Sequence, residues 1–453
     1  MTGRVIVTFA RGWQALVAVR SLGRRGVEVI AEDQYAMTPA SLSKFCAKPF
    51  RYPDPSNEPE AFLDALEEVV VKNKPDDGRP YVLMPIHKES YLIARHRDRF
   101  EPHIQLALPG IEEILQVHNK GTLAAYAQDR GLPTPHTWLP ASVEEFHAGL
   151  DKMELPAFVK IRESASGVGI RKVDTVEELE NTFLEFINHF ELRDGDLPIV
   201  QGLVPGEDYC VTTLFNRGRL EACMTYRNLR AYPSDRGAGV MRETVSAPAM
   251  EKIAANTLGP LNWHGVAELD FRWDEEEATT PSLIEVNPRF WGGLIQAVES
   301  GWDYPWLVYQ LAATGTVELD GERRTDVKTE TPVLALLATL QELSHSERGN
   351  AALKEGWQLA KAEFRDGSKR AGLKALLGSL KTGLNPVARL KEVQRVLSDH
   401  KDNVYDVLSR EDPGPALGIF FPLAVFLKHG RVNLELITGE GRPNEDDGSK
   451  GQS

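Results

Sequence analysis

Leu283–Gly293 reads LIEVNPRFWGG, and it follows Val266–Phe271, VAELDF, across the acidic turn DEEEATT. Leu283, Ile284 and Val286 give the later segment the apolar character of a buried strand, and strand alternation puts Glu285 and Asn287 on one face. The VAELDF segment is the expected neighbouring strand, which sets Asp270 beside them. Three hard oxygen ligands on one face suit Mg²⁺, which prefers carboxylates together with phosphate oxygens and water. The plainer reading is a sheet edge whose acids are merely solvated. The apolar residues around Glu285 and Asn287 argue for burial instead, and buried carboxylates need partners.

Working back along the chain, Phe158–Val173 reads FVKIRESASGVGIRKV. A strand lysine, Lys160, precedes a loop rich in Ser, Ala and Gly, whose backbone N–H groups can approach phosphate oxygens while the ammonium supplies charge. Alone it would serve equally well as a hairpin turn, and no Gly-Lys-Ser/Thr follows to make it a Walker loop. Ile199–Val211, IVQGLVPGEDYCV, leads a strand into Pro205-Gly206 and two acids, a turn that offers backbone groups to a base edge and a carboxylate to ribose hydroxyls.

The chain opens with RVIVTFA, a turn at Arg11 and Gly12, a helical pattern to about Gly23 and the strand VEVIAED. That is a βαβ unit and implies a parallel sheet, with ligands expected at the carboxyl ends of its strands. A later strand, YVLMPIH, leads to a helical stretch carrying Glu89. The pattern resets near Leu108-Pro109-Gly110, and a helix with Lys120 ends at Gly131 before LPTPHTW, where two prolines forbid helix. Strands are expected at PAFVKIR, LPIVQGLV, DYCVTTLF, RLEACMTYR, VAELDFRW and SLIEVNP, with a helix from about Val176 to His189. The expected division is an α/β domain over 1–108, an α+β domain over 109–320, a helical region over 321–440 and a disordered tail over 441–453.

Composition narrows the function classes. The 453 residues exceed one core's usual span, and 42% hydrophobic with 26% charged residues is ordinary for a globular protein. A net charge of -14 opposes general affinity for nucleic acid. Cys46, Cys210 and Cys223 have neither metal-ligand spacing nor disulfide density, which points to reduced thiols and a cytoplasmic setting. The amino terminus has no secretory pattern, and no run approaches the roughly 18 to 20 apolar residues of a membrane span. Between Lys354 and Lys401 eleven Lys and Arg stand against five acids, and PALGIFFPLAVFL follows at Pro415–Leu427. These two features suit either a cap docked on the enzyme or on a second subunit, or peripheral contact with an anionic membrane surface. Docking is the preferred reading.

In order and spacing, the Lys120 helix, the Lys160 strand, the glycine loop, the hinge with acids and the paired acidic strands resemble the ATP-grasp superfamily over roughly residues 1–315. The closest resemblance is to carbamoyl-phosphate-synthase-like carboxylate–amine ligases. The resemblance implies a pre-ATP-grasp domain followed by an ATP-grasp domain, ATP with Mg²⁺ (or Mn²⁺) as cofactors, small-molecule carboxylate and amine substrates and no nucleic-acid partner. A homodimer is compatible with it. It also implies roles by position. Lys120 and Lys160 would contact ATP phosphates, Ser166, Gly167 and Gly169 would lie in the closing loop, and Gln201, Gly202, Leu203 and Val204 would form the adenine hinge. Asp208 falls at the ribose carboxylate, and Asp270, Glu285 and Asn287 match the metal ligands. Arg289 would stabilise the transferring phosphoryl, and Arg242, in MRETVSAP, would reach phosphate or substrate. Two positions depart from the family's habit, Gly202 and Asp208, each commonly Glu. Outside these positions Glu89, Arg227, Arg230 and Arg236 are candidates for substrate contact. An ATP-grasp phosphotransferase and a nucleotide-binding module without turnover are the competing functions.

Overall fold

The computed structural model describes residues 3–150, 153–163, 168–232, 237–276, 280–331, 334–335, 338 and 403–419. In chain order the elements are β1 (Arg4–Val7), α1 (Trp13–Arg24), β2 (Glu28–Asp33), β3 (Cys46–Arg51), α2 (Pro59–Lys72), β4 (Tyr81–Met84), α3 (Glu89–Arg95), α4 (Ile111–His118) and α5 (Lys120–Asp129). There follow β5 (Thr137–Trp138), α6 (Val143–Gly149), β6 (Ala157–Lys160), β7 (Ile170–Val173), α7 (Val176–His189), β8 (Ile199–Gly202), β9 (Glu207–Asn216), β10 (Arg219–Tyr232) and β11 (Ala238–Val245). The series closes with α8 (Pro248–Leu258), β12 (Gly265–Trp273), β13 (Ser282–Asn287), α9 (Leu294–Glu299), α10 (Tyr304–Thr314), β14 (Lys328–Glu330) and β15 (Val404–Tyr405).

The first sheet has the order β3-β2-β1-β4 with every pairing parallel. The βαβ reading of the opening therefore holds. Val5, Ile6, Val7, Val82 and Leu83 are fully or almost fully buried, as expected of strands with cover on both faces.

A four-stranded sheet, β5-β8-β6-β7, carries α7 on one side. Thr175 caps that helix by accepting from the Glu178 N–H, and the Glu178 carboxylate reaches back to the Asp174 N–H. Its apolar face supplies Leu179 and Phe183 to a small core with Phe146, Val159 and Val200. Phe146 and Phe183 stack with centroids 3.7 Å apart, and burying each such ring is worth roughly 1.5–3 kcal/mol.

The largest sheet has the order β13-β12-β9-β10-β11-β14-β15. Trp291, wholly buried, meets Tyr304 edge-on at 5.0 Å and anchors the turn that follows β13. The PTPH segment supports β13, because the Leu283 N–H donates to the Pro133 carbonyl and Thr134 Oγ1 to the Leu283 carbonyl.

Two strands lie where a helical region was expected, over 321–440. β14 pairs antiparallel with β11, and β15 joins β14 in parallel. Segments of three and two residues are too short to carry a periodic signal, and only the open edge of β11 selects them. The basic stretch Lys354–Lys401, most of Pro415–Leu427 and the tail over 441–453 lie outside the described residues. Among the described residues no helix is long and apolar enough to cross a membrane.

Candidate active site

The register between β12 and β13 decides the geometry. Asp270 stands opposite Glu285 and Glu268 opposite Asn287, so four oxygen-bearing side chains meet on two adjacent strands. Asn287 Nδ2 donates to Asp270 Oδ2 at 3.1 Å. Arg289 follows from the same strand end, with its backbone N–H on the Asn287 carbonyl at 2.9 Å and Nη2 3.5 Å from Asn287 Oδ1. Asp270, Glu285, Asn287 and Arg289 thus occupy one site.

Lys120 joins them from α5. Asn119 caps this helix by accepting from the N–H groups of Gly121 and Thr122, which fixes Lys120 at its first turn. The Lys120 ammonium lies 3.4 Å from Glu285 Oε2, and its backbone N–H donates to the Arg162 carbonyl just beyond β6. Lys160, at the end of β6, is also buried, and its Nζ donates to Gln201 Oε1 at 2.6 Å. Burial first, then the neighbouring Lys120 charge, push the Lys160 ammonium down to about 8.

The carboxyls move the opposite way. Burial, then the charges of Glu268 and Glu285, hold the Asp270 carboxyl well above the usual carboxylate range. Glu268 is raised as well, mainly by burial, against a hydrogen bond from the Tyr226 hydroxyl. A divalent cation among these oxygens would offset their mutual repulsion, and a set of hard oxygen donors fits Mg²⁺. Cys210 Sγ lies within 4.8 Å of Glu268 and Asp270, but burial pushes its thiol far up, so it stays protonated and makes a poor ligand.

Sequence reasoning passed over Glu268 and His118. Glu268 was visible in AELDF, because alternation places it on the face of Asp270. His118, the last residue of α4, is pushed down to about 4 by burial, with Lys120 and Arg289 adding to the shift and Glu285 opposing it. No spacing signal marks it, since tertiary packing alone brings it to Glu285.

The remaining expected residues divide. Arg242, on β11, is buried, and its Nη2 donates to the Gly239 carbonyl. A Cβ at Gly293 would fall 2.8 Å from Arg242 Cδ and Nε, so the glycine pair of RFWGG lets this arginine lie against the backbone. Gly169 has φ +62, and its carbonyl accepts from the Ile161 N–H, closing the glycine loop onto β6. Ser166 and Gly167 lie outside the described residues, as does Arg236. In the hinge, the Gly202 N–H donates to the His136 carbonyl and the Leu203 N–H to that of Pro156, which leaves fewer donors for a base edge. The Gln201 side chain bridges Lys160 and Thr137, and Leu203 and Val204 follow β8.

Asp208 is half exposed and paired with Arg272 at 2.7 Å. Arg227 is engaged with Glu243 and Glu207, and Arg230 Nη1 approaches Met241 Sδ. Glu89 sits at the carboxyl end of the first sheet, where it accepts from Thr8 Oγ1 and from the N–H groups of Ile86 and His87.

A family model described as ATP-grasp in the biosynthetic pathway with Ter operon matches residues 197–334, which includes β8 to β14. The match covers less than a third of the chain, and over that segment the chain is similar to ATP-grasp proteins. Among solved structures, an L-amino acid ligase from Bacillus licheniformis aligns with TM-score 0.53 at 17% identity, over 69% of this chain and 74% of that one. A biotin carboxylase from Campylobacter jejuni gives 0.57 at 15% identity, over 72% and 74%. These likenesses are of fold. Among curated proteins, a formate-dependent phosphoribosylglycinamide formyltransferase from Pasteurella multocida is 27% identical over 285 residues, 60% of this chain and 65% of the relative. One from Geobacter metallireducens is 28% identical over 195 residues, 42% and 45%. The chain spans about half the length of the curated relatives it matches.

Proposed function

We propose that this protein is an ADP-forming carboxylate–amine ligase, which activates a carboxylate with Mg-ATP as an acyl phosphate and passes the acyl group to an amine. One observation carries the reading: the β12–β13 register that sets Asp270 against Glu285, with Asn287 bonded to Asp270 and Lys120 at Glu285. The proposed domains are a pre-ATP-grasp domain over 1–108 and an ATP-grasp domain from 109 to about 320, extended by β14. Relatives solved with ADP and magnesium or with ATP support the choice of nucleotide and metal.

Asp270, Glu285 and Asn287 would hold Mg²⁺, with Glu268 beside them as a further oxygen donor. When bound, the ion would supply positive charge to offset the negative charge of the phosphates. Phosphoryl transfer needs alignment and charge compensation rather than a protein nucleophile. Lys120 and Lys160 would position the phosphates, the loop around Gly169 would close over them, and the hinge from Gln201 to Val204 with Asp208 would hold the nucleoside. Arg289 and Arg242 would collect the negative charge of the transferring group. A carboxylate oxygen attacks the γ-phosphorus and ADP leaves. The amine then attacks the acyl carbon, inorganic phosphate departs, and the nitrogen loses a proton to a base or to water. The acyl phosphate must outlast hydrolysis until the amine arrives, which closure favours. Glu89, at the mouth of the first sheet, is placed for substrate contact.

An ADP-release screen of the wild-type protein with Mg-ATP and pairs of amino acids, followed by product mass, tests the proposal. ADP that appears only when acid and amine are both present, with a condensed product, is the expected result. A product that retains phosphate would make the enzyme a phosphotransferase, and no ADP with any pair would leave a nucleotide-binding module.

A further inference from the structure

After residues 339–402, which lie outside the described set, the chain returns to the seven-stranded sheet as β15, and the segment after it runs on to the first sheet's domain. Its start is fastened to β14: Asn403 Nδ2 donates to Glu330 Oε2 at 2.8 Å and the Asp406 N–H to the Glu330 carbonyl at 3.1 Å. Its far end is fastened to the first domain by a buried ion pair, Arg20 Nε to Asp412 Oδ2 at 2.9 Å. Ser43 Oγ and the Lys44 N–H also donate to the Asp412 carboxylate, and Arg20 Nη2 donates to the Val407 carbonyl. A Cβ on Gly414 would come within 2.5 Å of the Leu42 carbonyl, so the strap lies tight against the first domain.

Between these fastenings sits Asp406, 1% exposed, with Oδ2 3.6 Å from Arg242 Nη1. Thr331 Oγ1 donates to the same carboxylate oxygen, and Glu330 is the other acid facing it. Arg242 is thereby enclosed on three sides, by Gly293 under its stem, the Gly239 carbonyl at Nη2 and Asp406 at Nη1. At 3.6 Å the last contact is an ion pair without a hydrogen bond, and Arg242 Nη1 and Asp406 Oδ1 have no hydrogen-bond partner among the described residues. An arginine in that state has its charge partly balanced and its direction set, with the hydrogen-bonding capacity of Nη1 not used up by Asp406. A buried guanidinium deprived of its counter-charge would instead turn toward other acceptors or water.

We propose that Asp406 is a positioning residue for Arg242: the carboxyl-terminal strap supplies the counter-charge that aims this arginine at the phosphate or acyl phosphate. The inference rests on the reading of Arg242 as a phosphate or substrate contact. It makes a fully assembled site depend on a segment about 160 residues beyond Arg242 in sequence.

The test is a double-mutant cycle of Arg242→Ala, Asp406→Asn and the pair, with Asp406→Glu as the conservative variant. Each full-length protein is followed by melting temperature, by kcat and KM for ATP in ADP release, and by calorimetric titration with Mg-ATP. We expect Asp406→Asn to lower kcat about 10-fold and Arg242→Ala about 100-fold, with the pair no worse than Arg242→Ala alone. Asp406→Glu should restore most of the loss. Losses that add in the double variant, or wild-type turnover in Asp406→Asn, would overturn the proposal. If Asp406→Asn does not fold, the cycle is run with Asp406→Ser on the same criterion. A wild-type protein that binds Mg-ATP but releases no ADP with any acid–amine pair would sink the ligase reading alone. The cycle is then read on Mg-ATP affinity, where non-additive losses support the role of Asp406 and additive losses or four equal affinities overturn it.

Discussion

The first sheet and the seven-stranded sheet each bury carboxyl groups on their strands, and they treat them differently. In the first sheet Glu32, on β2, is 0% exposed, and neither of its oxygens has a hydrogen-bond partner among the described residues. Burial alone pushes it up to about 8. In the seven-stranded sheet Asp270 and Glu268 are raised by burial too, but they stand opposite Glu285 and Asn287 on the adjoining strand, with Lys120 at Glu285 and Arg289 beside Asn287. A raised carboxyl therefore does not mark a site by itself. What marks one is convergence, several acids and cations whose charges balance only when a cation and an anionic ligand are added.

The largest effect should come from removing members of the convergent set. Glu285→Ala and Arg289→Ala should each cut ADP production by about 100-fold or more, as loss of other charge-stabilising groups does. Turnover at the wild-type rate in either variant would break the contrast, since the cluster would then be as inert as Glu32.

Glu32→Gln sharpens the comparison from the other side. The unfolded glutamate ionises near 4.5 and the folded one near 8, so between those values the folded state keeps a proton that the unfolded state has lost. Stability should therefore fall as pH rises through that window and level off above it, whereas the glutamine variant lacks this slope. The variant should exceed wild type by about 4 kcal/mol at pH 8, with no gap near pH 4 and with ADP release retained. Denaturant melts at pH 5, 6.5 and 8 measure it, and parallel curves would show that Glu32 has solvent or a partner.

The smallest expected effect belongs to the hinge. Asp208 is half exposed and already paired with Arg272, so Asp208→Asn should raise KM for ATP by about 3-fold and leave kcat unchanged. A 100-fold change would put this carboxylate on the level of Glu285.

Much of this was legible from residue patterns. The opening βαβ unit, the helix Val176–His189 and the pairing of VAELDF with LIEVN are all local or nearly local. A single hairpin register then places Asp270 opposite Glu285. Lys120 and Lys160 could be named from their elements, and both side chains are buried. Less legible were the hinge, where two amides are taken by His136 and Pro156, and the strands β14 and β15, whose shortness removes any periodic signature.

By itself the sequence determined most of the element types before β14, the parallel first sheet and the face on which Asp270, Glu285 and Asn287 lie, because side-chain alternation and βαβ handedness act within a few dozen residues. Tertiary structure alone decided which distant groups meet that face. His118 reaches Glu285 through the packing of α4 against β13, and Asp406 reaches Arg242 because an open sheet edge accepted a two-residue strand. Contacts across so many residues depend on which edges and cavities the folded core leaves unfilled, and no local pattern encodes that.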